Sequence, residues 1–524
     1  MTRSSSLNAT RRARELADAT DGRVVDLLVI GLGATGAGVA LDAATRGLDV
    51  VAIDAHDLAF GTSRWSSKLA HGGLRYLATG QLGIAHESAV ERGILLTRTA
   101  PHLTRTAPWL VPHYGRGGHR ESALTMGGFI GGDLLRRAAR TPGSVLPRPR
   151  RLGPVEAVAL APGIRAHGLH GASLGWDGQL VDDARLVTAI ARSAALYGAR
   201  VLTRVRAVQT SGDGARVRDE LTGAEHDLKA RAVINATGVW AGGLAPDIRL
   251  RPSRGTHLVV RSSSVGSMDC VVNSPVPGHF GRFVFTLPQL DGTTYIGLTD
   301  EPVDGDVPDV PHPEDREVAF LLDTVNPVLR TGLTRDDVIG TYAGLRPLLE
   351  TDGGAGRVGP RRERRTPRRD TSDLSRRHAV LTAPDGLVTV VGGKLTTYRR
   401  MAQDAVDVVC RERGLPAGPC VTARTPLVGA APRDDLDRIE APSRLVRRYG
   451  TEAPDVLSPD PVRNQPISDQ IPTTPAEFDF ALRHEGALGA DDLLDRRTRV
   501  GLVPADREIA ESAAEDAVAR HLAE

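Results

Sequence analysis

Three glycines and one aspartate near the start of the chain have the spacing of a pyrophosphate-binding site. Gly31, Gly33 and Gly36 follow the apolar run "VVDLLVIG" and open a segment of helical spacing, and Asp54 closes the next apolar run. Such glycines allow a tight turn, a close backbone approach to a pyrophosphate and packing of the helix on the strand. The acid binds a free ribose 2′-hydroxyl and repels a 2′-phosphate. The pattern predicts FAD or NAD in preference to NADP.

This fingerprint occurs once in the sequence. A flavoenzyme that takes hydride from a nicotinamide nucleotide usually needs a second nucleotide site. The single fingerprint therefore favours a bound dinucleotide that is itself the redox cofactor and is reduced directly by the substrate.

Lysine is rare in this chain, and one lysine follows two glycines. Lysine and arginine together number 66, yet lysine occurs only at positions 68, 229 and 394. In "VVGGKLTTYRR", residues 390–400, Lys394 lies where a glycine turn opens a helix. An ammonium is a compact charge whose pKa shifts on burial, whereas a guanidinium is a planar fork that stays charged. Lys394 is a candidate for specific chemistry, and a surface position left as lysine by composition is the alternative.

Hydroxyl, glycine and basic residues concentrate in three further segments. "GTSRWSSKLAHGGLRYL", residues 61–77, follows the second strand, where a bound dinucleotide would pass. "TYAGLRPL", 341–348, contains Arg346, and "LSRRHAVL", 374–381, contains Arg376 before a strand. Arginines near a helix N-terminus suit a small phosphate or carboxylate.

Two architectures alternate along the chain to position these residues. The strand–helix–strand pattern from residue 24 and the helix-then-strand pattern of 182–202 predict a parallel sheet. Between 251 and 300, short alternating strands separated by turn residues predict an antiparallel sheet. Proline and glycine concentrate at 415–435, and helical patterns follow to the end.

Composition excludes several classes of protein. The net charge is +2, which gives no overall field for nucleic acid. Cys270, Cys410 and Cys420 show neither CxxC nor metal-site spacing, which argues against disulfides and zinc and fits a reducing cytosol. The polar N-terminus has no apolar core of a secretory signal. The sequence also has no uncharged apolar run long enough for a membrane-spanning helix.

Eight motifs follow one another between residues 24 and 410. They are "GATGAGVALDAATRGL", "GTSRWSSKLAHGGLRYL", "VDDARLV", "NATGVWA", "RGTHLVV", "YIGLTD", "TYAGLRPL" and "GGKLTTYR". Their types and order resemble the FAD-dependent glycerol-3-phosphate dehydrogenases. "DDLLDRRTRVGL", 491–502, is similar to that family's C-terminal helical domain. "KLAHGGLRYL" and "GGKLTTYR" are the specific motifs, whereas "NATG" is common among flavin oxidases.

The resemblance implies an α/β fold. It comprises a Rossmann-like FAD-binding domain of the glutathione-reductase/D-amino-acid-oxidase type, an antiparallel β substrate domain and a C-terminal helical domain. With the patterns above, it predicts a flexible tail at 1–23, an oxidoreductase region at 24–425 and the helical domain at 426–524. Within the oxidoreductase region, the predicted FAD-binding segments are 24–95, 170–250 and 340–425, and the predicted substrate-domain segments are 96–169 and 251–339.

The resemblance also implies an activity and its partners. Noncovalent FAD would take hydride at N5 from C2 of sn-glycerol 3-phosphate, giving dihydroxyacetone phosphate, and the electrons would pass to a membrane quinone. The implied location is cytoplasmic and peripheral, on the inner face of the cytoplasmic membrane. A homodimer is compatible with the resemblance, and the Arg-rich run at 361–369 has a solvated loop or an anion contact as its two interpretations.

Site residues carry over from the motifs. Arg75, Tyr76, Arg346 and Arg376 would surround the substrate, with His71 and His257 nearby as candidate bases and Lys394 and Arg346 as helpers. The choice between the two histidines stays open. The cofactor-binding set is Gly31, Gly33, Gly36, Asp54, Thr62, Ser63, Ser66, Ser67, Lys68, Ala236, Thr237, Gly238, Gly393, Lys394, Leu395 and Thr396.

Three other functions remain as alternatives at this stage. A glycerol-3-phosphate oxidase would use the same site and pass electrons to oxygen. A related hydroxy-acid or amine oxidase would share the flavin fold, although the phosphate-suited arginines argue against it. A nucleotide-binding module without turnover is the third, and bleaching of the flavin by substrate would exclude it.

Overall fold

The computed structural model describes residues 4–73, 80–115, 118–279, 281–350 and 378–523. Its centre is a six-stranded sheet, parallel except for one edge hairpin. The strands are short, and the two central ones, Leu27–Ile30 and Val50–Ile53, are fully apolar and buried, as expected for parallel strands covered on both faces. In spatial order they are Ala379–Thr382, Val388–Val391, Val233–Asn235, Leu27–Ile30, Val50–Ile53 and Arg200–Leu202.

Alternate residues of this sheet pack into two different layers. Leu27 and Val29 face the helices Ala34–Thr45, Asp183–Leu196 and Tyr398–Arg413. Leu28 and Ile30 face the other way, against a four-stranded sheet and an N-terminal helix. The four strands are Val24–Val25, Glu225–Ala230, Gly214–Asp219 and Val205–Ser211.

A ten-stranded sheet forms the second architecture. Its helix-covered face packs on Pro154–Leu160 and Asp315–Val325 through alternate residues such as Leu110 and Leu258. Its other face carries Trp109, Phe285 and Tyr295. The strands are Leu69–Ala70, Thr104–Tyr114, Arg150–Leu152, Leu169–Leu180, Leu250–Arg261, Val271–Pro275, Phe283–Pro288, Thr293–Gly297, Glu301–Pro302 and Val338–Leu349.

The N-terminus differs from the predicted flexible tail. Residues Ala9–Ala19 form a helix whose first amides are capped by the side chain of Asn8, with Leu16 and Ala19 buried. Arg12 donates to the Thr203 carbonyl at 2.8 Å and lies 2.5 Å from an Asp219 oxygen. The partners of Arg12 are distant in sequence, so the polar composition of this segment gave no sign that it is packed.

Short helices dominate after residue 430 and pack around two small apolar clusters. Among the residues described, no helix is both long and apolar enough to cross a membrane. The remaining helices are Leu82–Ile94, Gly118–Ala138, Ala241–Leu244, Arg433–Leu436, Ser443–Tyr449, Ala453–Val456, Pro475–His484, Ala490–Asp492 and Pro504–Ala523.

Candidate active site

A cavity of about 1490 Å³ opens where four neighbouring strands of the six-stranded sheet end. The residues that directly follow these strands, Gly31, Asp54, Ala236 and Gly392, all line it. The carboxyl edge of a parallel sheet is where ligands bind in doubly wound folds. The sheet therefore sets one wall of the cavity, and the ten-stranded sheet supplies much of the rest.

The glycine loop has backbone geometry that larger residues would disturb. Gly31 has φ of +102°, and a Cβ there would lie 2.6 Å from the Ala236 carbonyl oxygen. A Cβ on Gly36 would lie 1.7 Å from the Gly31 oxygen. Gly31 thus makes the turn and Gly36 lets the helix approach the strand, as the spacing predicted.

The N-terminus of helix Ala34–Thr45 faces the cavity. Its N-cap is Gly33, which has no side chain to cap the helix, and the first turn of this described helix has no acidic residue. Ser63 Oγ accepts a hydrogen bond from the Ala34 amide at 2.9 Å. A helix N-terminus with glycine and hydroxyl neighbours suits a phosphate group.

Asp54 is held at the end of its strand by two backbone amides. Its carboxylate accepts hydrogen bonds from the Leu32 amide at 2.7 Å and the His56 amide at 2.8 Å. Burial raises the pKa of this carboxyl to about 6, with the two amides opposing the shift. A carboxylate on the cavity wall, directly after strand Val50–Ile53, is placed to bind the ribose of a dinucleotide.

Lys394 lines the cavity from the turn that follows strand Val388–Val391. Its Nζ donates to Ser88 Oγ at 2.8 Å, and Ser88 is fully buried in helix Leu82–Ile94. Gly393 has φ of +76°, and a Cβ there would lie 2.4 Å from the sulfur of Met401. The two glycines and this buried hydroxyl fix where the ammonium lies.

His257 lies on strand Leu250–Arg261 at the cavity wall. Its Nε2 is 2.8 Å from Ser67 Oγ, and its ring stacks on Tyr342 with centroids 4.6 Å apart. Burial, and then the charges of Lys68 and Arg346, hold the pKa of His257 well below its usual value. The imidazole is therefore neutral at neutral pH.

Arg346 lies on the strand that pairs with the His257 strand. The register places His257 opposite Tyr342 and Ser253 opposite Arg346, so His257 and Arg346 are four positions apart along the pair. The Arg346 guanidinium is 3.1 Å from Asp300 Oδ1 and 3.2 Å from Ser253 Oγ. Asp300 therefore orients the guanidinium at the cavity wall.

Comparison with known proteins agrees with this arrangement. Residues 26–399 match the family model described as FAD dependent oxidoreductase, and residues 420–524 match the C-terminal domain of alpha-glycerophosphate oxidase. Glycerol-3-phosphate dehydrogenase 1 of Mycobacterium tuberculosis is 51% identical over 528 residues, covering 99% of this chain and 100% of that protein. The chain belongs to the FAD-dependent glycerol-3-phosphate dehydrogenase family.

More distant members extend the same likeness. A probable mitochondrial glycerol-3-phosphate dehydrogenase of Dictyostelium discoideum is 31% identical, with 96% of this chain and 80% of that protein covered. The glycerol-3-phosphate dehydrogenase of Bacillus halodurans complexed with FAD superposes with a TM-score of 0.71 at 25% identity, covering 98% of this chain and 96% of that one. The predicted fold class and FAD as the cofactor are confirmed.

Most of the sequence-predicted site residues meet at this cavity. Those that line it are Gly31, Gly33, Asp54, Thr62, Ser63, Ser66, Ser67, His71, Ala236, Thr237, Gly238, His257, Arg346, Gly393, Lys394, Leu395 and Thr396. Gly36 lies behind the loop, against Gly31. Arg75, Tyr76, Arg376 and the run at 361–369 lie outside the described residues.

Lys68 is a correction to the predicted cofactor-binding set. Its side chain is fully buried away from the described cavity lining, and Nζ lies 2.9 Å from Asp183 Oδ2 and 2.6 Å from the Arg64 carbonyl oxygen. The Ser66 amide donates to the same Asp183 oxygen at 2.9 Å. Lys68 therefore fixes the loop that carries Ser66 and Ser67, and its ammonium does not line the cavity.

Sequence reasoning found His257 and Arg346 on the ten-stranded sheet but missed four other residues of the wall that this sheet forms. Trp109, Asn273, Phe283 and Phe285 line the cavity from three strands of this sheet. The alternation in "RFVFTLPQ", where Phe283 and Phe285 share a face, was the one signal for it. The positions of Trp109 and Asn273 depend on pairing between strands more than 150 residues apart in the chain.

The Asp54 geometry predicts pH-dependent retention of FAD. Above its pKa of about 6 the carboxylate can accept a ribose hydroxyl, and below it a proton occupies that position. At about one pH unit below the pKa we expect FAD affinity about tenfold weaker than at neutral pH. Equilibrium dialysis of FAD against pH would measure this. Asp54→Asn should weaken binding and abolish the pH dependence, whereas Asp227→Asn on the surface should do neither; equal pH profiles for Asp54→Asn and wild type would remove the assignment.

Proposed function

We propose that this protein oxidises sn-glycerol 3-phosphate to dihydroxyacetone phosphate and passes the electrons to a membrane quinone. The observation that carries the proposal is that a neutral histidine and an arginine, on paired strands, face the same cavity as the dinucleotide loop. The 51% identity to a dehydrogenase named for this substrate supports the choice of glycerol 3-phosphate.

His257 is the proposed general base. Oxidation of a secondary alcohol requires loss of the hydroxyl proton as hydride leaves the carbon, and a neutral imidazole can accept that proton. Ser67 Oγ, 2.8 Å away, and the stacked Tyr342 ring hold the imidazole in one orientation. His71 also lines the cavity and is the competing candidate.

Arg346 and Lys394 are the proposed cations for the substrate phosphate and for charge that develops during oxidation. Asp300 holds the Arg346 guanidinium at 3.1 Å, and Ser88 holds the Lys394 ammonium at 2.8 Å. Fixed cations in a cavity stabilise an anion with little reorganisation. Bound FAD supplies the hydride acceptor, N5 of its ring.

Lys394→Arg keeps the positive charge and is expected to slow flavin reduction about tenfold. The buried Ser88 hydroxyl and the tight turn at Gly393 leave little room for a longer, planar head group. Anaerobic single-turnover reduction by glycerol 3-phosphate measures the effect, and its pH dependence should change. Lys229→Arg, at an exposed strand position, is the matched control and should behave as wild type. If the pH profiles of both variants coincide with the wild-type profile, Lys394 has no specific role in flavin reduction.

Membrane contact follows from the proposed acceptor, because a quinone resides in the bilayer. We propose a cytoplasmic protein that binds peripherally to the inner face of the membrane. Helix Gly118–Ala138 supports this, since Leu124, Ile130 and Leu134 are 57%, 51% and 59% exposed along it. Arg137, in the last turn of the same helix, is half-exposed and pairs with Asp133; a basic residue near anionic lipid contributes about 1 kcal/mol. The homodimer stays a prediction.

Liposome flotation tests this contact. We expect the protein to float with anionic liposomes at low salt and to be released by high salt or detergent. The double variant Ile130→Asp/Leu134→Asp should stay in the soluble fraction, because it places two charges on the apolar face. Val155→Asp, at an exposed apolar residue of helix Pro154–Leu160, is the control and should still float. Recovery of all wild-type protein in the soluble fraction would contradict membrane contact.

Product analysis tests the reaction and the acceptor together. Holoenzyme is incubated with sn-glycerol 3-phosphate and either menadione or oxygen, and dihydroxyacetone phosphate, hydroquinone and peroxide are measured. The proposal predicts equal amounts of dihydroxyacetone phosphate and hydroquinone. Peroxide formed in oxygen at the rate of the menadione reaction would favour an oxidase, and absence of dihydroxyacetone phosphate would contradict the reaction.

A further inference from the structure

His257 can exchange a proton through only one of its two ring nitrogens. Nδ1 is buried and has no hydrogen-bond partner among the described residues. Nε2 lies 2.8 Å from Ser67 Oγ. A ring nitrogen that accepts a proton has a single lone pair, which lies in the plane of the imidazole. The Ser67 hydroxyl therefore occupies the position from which a substrate hydroxyl would have to approach Nε2.

The imidazole is packed in one orientation by its two cross-strand neighbours, Tyr342 and Gly297. The Tyr342 ring stacks on it with centroids 4.6 Å apart and planes 9° apart. Gly297 lies so close that a Cβ there would be 2.2 Å from Cδ2 and 2.7 Å from Nε2 of His257. The ring therefore leans over a strand position that has no side chain, and this packing keeps Nε2 at the Ser67 hydroxyl.

Ser67 is more accessible from the cavity than the histidine. Both residues line the cavity, but Ser67 is partly exposed, whereas only 1% of the His257 surface is exposed. The Ser67 loop is held on the other side, because the Ser66 amide donates to Asp183 Oδ2 at 2.9 Å and the Tyr342 hydroxyl donates to the Ser66 carbonyl at 3.2 Å. A serine hydroxyl has one proton to donate and two lone pairs that accept. Ser67 can therefore donate to Nε2 and accept from a ligand at the same time.

We infer that Ser67 is a catalytic residue, which relays the proton of the substrate hydroxyl to His257. The inference rests on the proposed function and adds the path of the proton to it. The C2 hydroxyl proton passes to Ser67 Oγ as the serine proton passes to Nε2. The C2–H bond breaks with its electron pair, which leaves as hydride to the acceptor that bound FAD supplies. The alcohol thereby becomes a ketone, the serine is unchanged and the imidazole becomes an imidazolium.

A second serine–histidine contact supplies the matched control. Ser173 Oγ lies 2.9 Å from His113 Nε2, and burial lowers the pKa of His113 to about 4. Unlike Ser67, Ser173 is fully buried and does not line the cavity. Ser67→Ala and Ser173→Ala therefore remove the same hydroxyl from the same kind of contact, and the cavity lining changes in the first variant only. Ser67→Thr changes the side chain and keeps the hydroxyl.

Anaerobic stopped-flow bleaching of the FAD-loaded proteins by sn-glycerol 3-phosphate gives two quantities, the rate constant at saturation and the substrate concentration at half-saturation. For Ser67→Ala we expect a rate constant about 10²-fold lower, within the usual contribution of a positioned proton-transfer group. Half-saturation should change little, because the proposed phosphate contacts are Arg346 and Lys394. Ser67→Thr should recover most of the rate, and Ser173→Ala should match wild type in both quantities.

Mixtures of H₂O and D₂O distinguish a relay from a serine that only orients the imidazole. Two protons move together in the relay, so the wild-type rate constant should fall along a curve as the deuterium fraction rises. A straight line or an unchanged rate constant would overturn the relay. If Ser67→Ala does not retain FAD, this measurement on the wild type decides the matter.

The variants separate failure of the relay from failure of the proposed function. Bleaching of Ser67→Ala at the wild-type rate would overturn the relay and leave the proposed function standing. Equal slowing in Ser173→Ala, or a rise in half-saturation at an unchanged rate constant in Ser67→Ala, would do the same. If sn-glycerol 3-phosphate does not bleach the wild type, the proposed function fails and the relay fails with it.

Discussion

His257→Asn is expected to slow flavin reduction by sn-glycerol 3-phosphate by a factor of about 10² to 10⁴, the usual contribution of a positioned general base. Asparagine keeps a hydrogen-bonding group near Ser67 but cannot accept a proton at neutral pH. FAD binding should change little, because the dinucleotide loop and Asp54 lie on the other sheet. Stopped-flow absorbance under anaerobic conditions measures the rate constant.

His71→Asn is the matched control, since both histidines line the cavity. We expect a much smaller effect from it. A large effect at position 71 and a small one at 257 would exchange the two roles. The dependence of kcat/KM on pH gives a further check. The pKa of His257 lies well below 6.5, so the imidazole is already neutral at pH 6.5 and above. The acid limb of kcat/KM should therefore lie well below pH 6.5, and a limb above it would contradict the assignment.

Arg497→Met is expected to lower the free energy of unfolding by about 3 to 5 kcal/mol, the usual effect of removing one partner from a buried ion pair. Arg497 is fully buried, and its guanidinium is 2.8 and 2.9 Å from the two carboxylate oxygens of Asp57. Arg496 contacts the same carboxylate at 2.6 Å. Their charges hold the pKa of Asp57 below its usual value despite its burial. The ion pair therefore stabilises the fold fully above the pKa that Asp57 has in the unfolded chain. This stabilisation is lost as the pH falls through the lower pKa that Asp57 has in the folded protein.

The substitution should also weaken FAD retention, because Asp57 lies three residues after Asp54 on the loop that follows the second strand. Urea unfolding with excess FAD and dialysis of the cofactor are the two measurements. Arg216→Met, which breaks an exposed pair with Asp227, is the control and should leave both unchanged. Asp57→Asn combined with Arg497→Met should cost less than the sum of the single changes. Wild-type stability in Arg497→Met would show that Arg496 alone satisfies Asp57.

Local signals in the sequence were enough for the dinucleotide loop. The apolar strand, the glycines and Asp54 all lie between residues 27 and 54, and the chemistry of each depends on its neighbours in the chain. The turn before Lys394 is local in the same way. Local reasoning therefore assigned Gly31 and Asp54 to one site, and the resemblance to the family added Lys394 to it before any strand pairing was known.

Contacts between distant residues could not be predicted in that way. Lys68 pairs with Asp183, and Arg12 pairs with Asp219, across separations of 115 and 207 residues. A charged side chain looks the same in sequence whether it faces a cofactor or a buried carboxylate. The choice of His257 likewise needed the strand register that places it opposite Tyr342 and the contact with Ser67 Oγ. The resemblance to a family indicated the motif, and the strand pairing supplied the orientation.

Anaerobic titration of the FAD-loaded protein with sn-glycerol 3-phosphate tests the central claim most directly. The visible flavin absorbance is followed as substrate is added, beside parallel titrations with glycerol and with sn-glycerol 1-phosphate. We expect sn-glycerol 3-phosphate to bleach the flavin fully, and the other two compounds to leave it oxidised. A flavin that stays oxidised with sn-glycerol 3-phosphate, or that glycerol bleaches as fast, would contradict the proposed function.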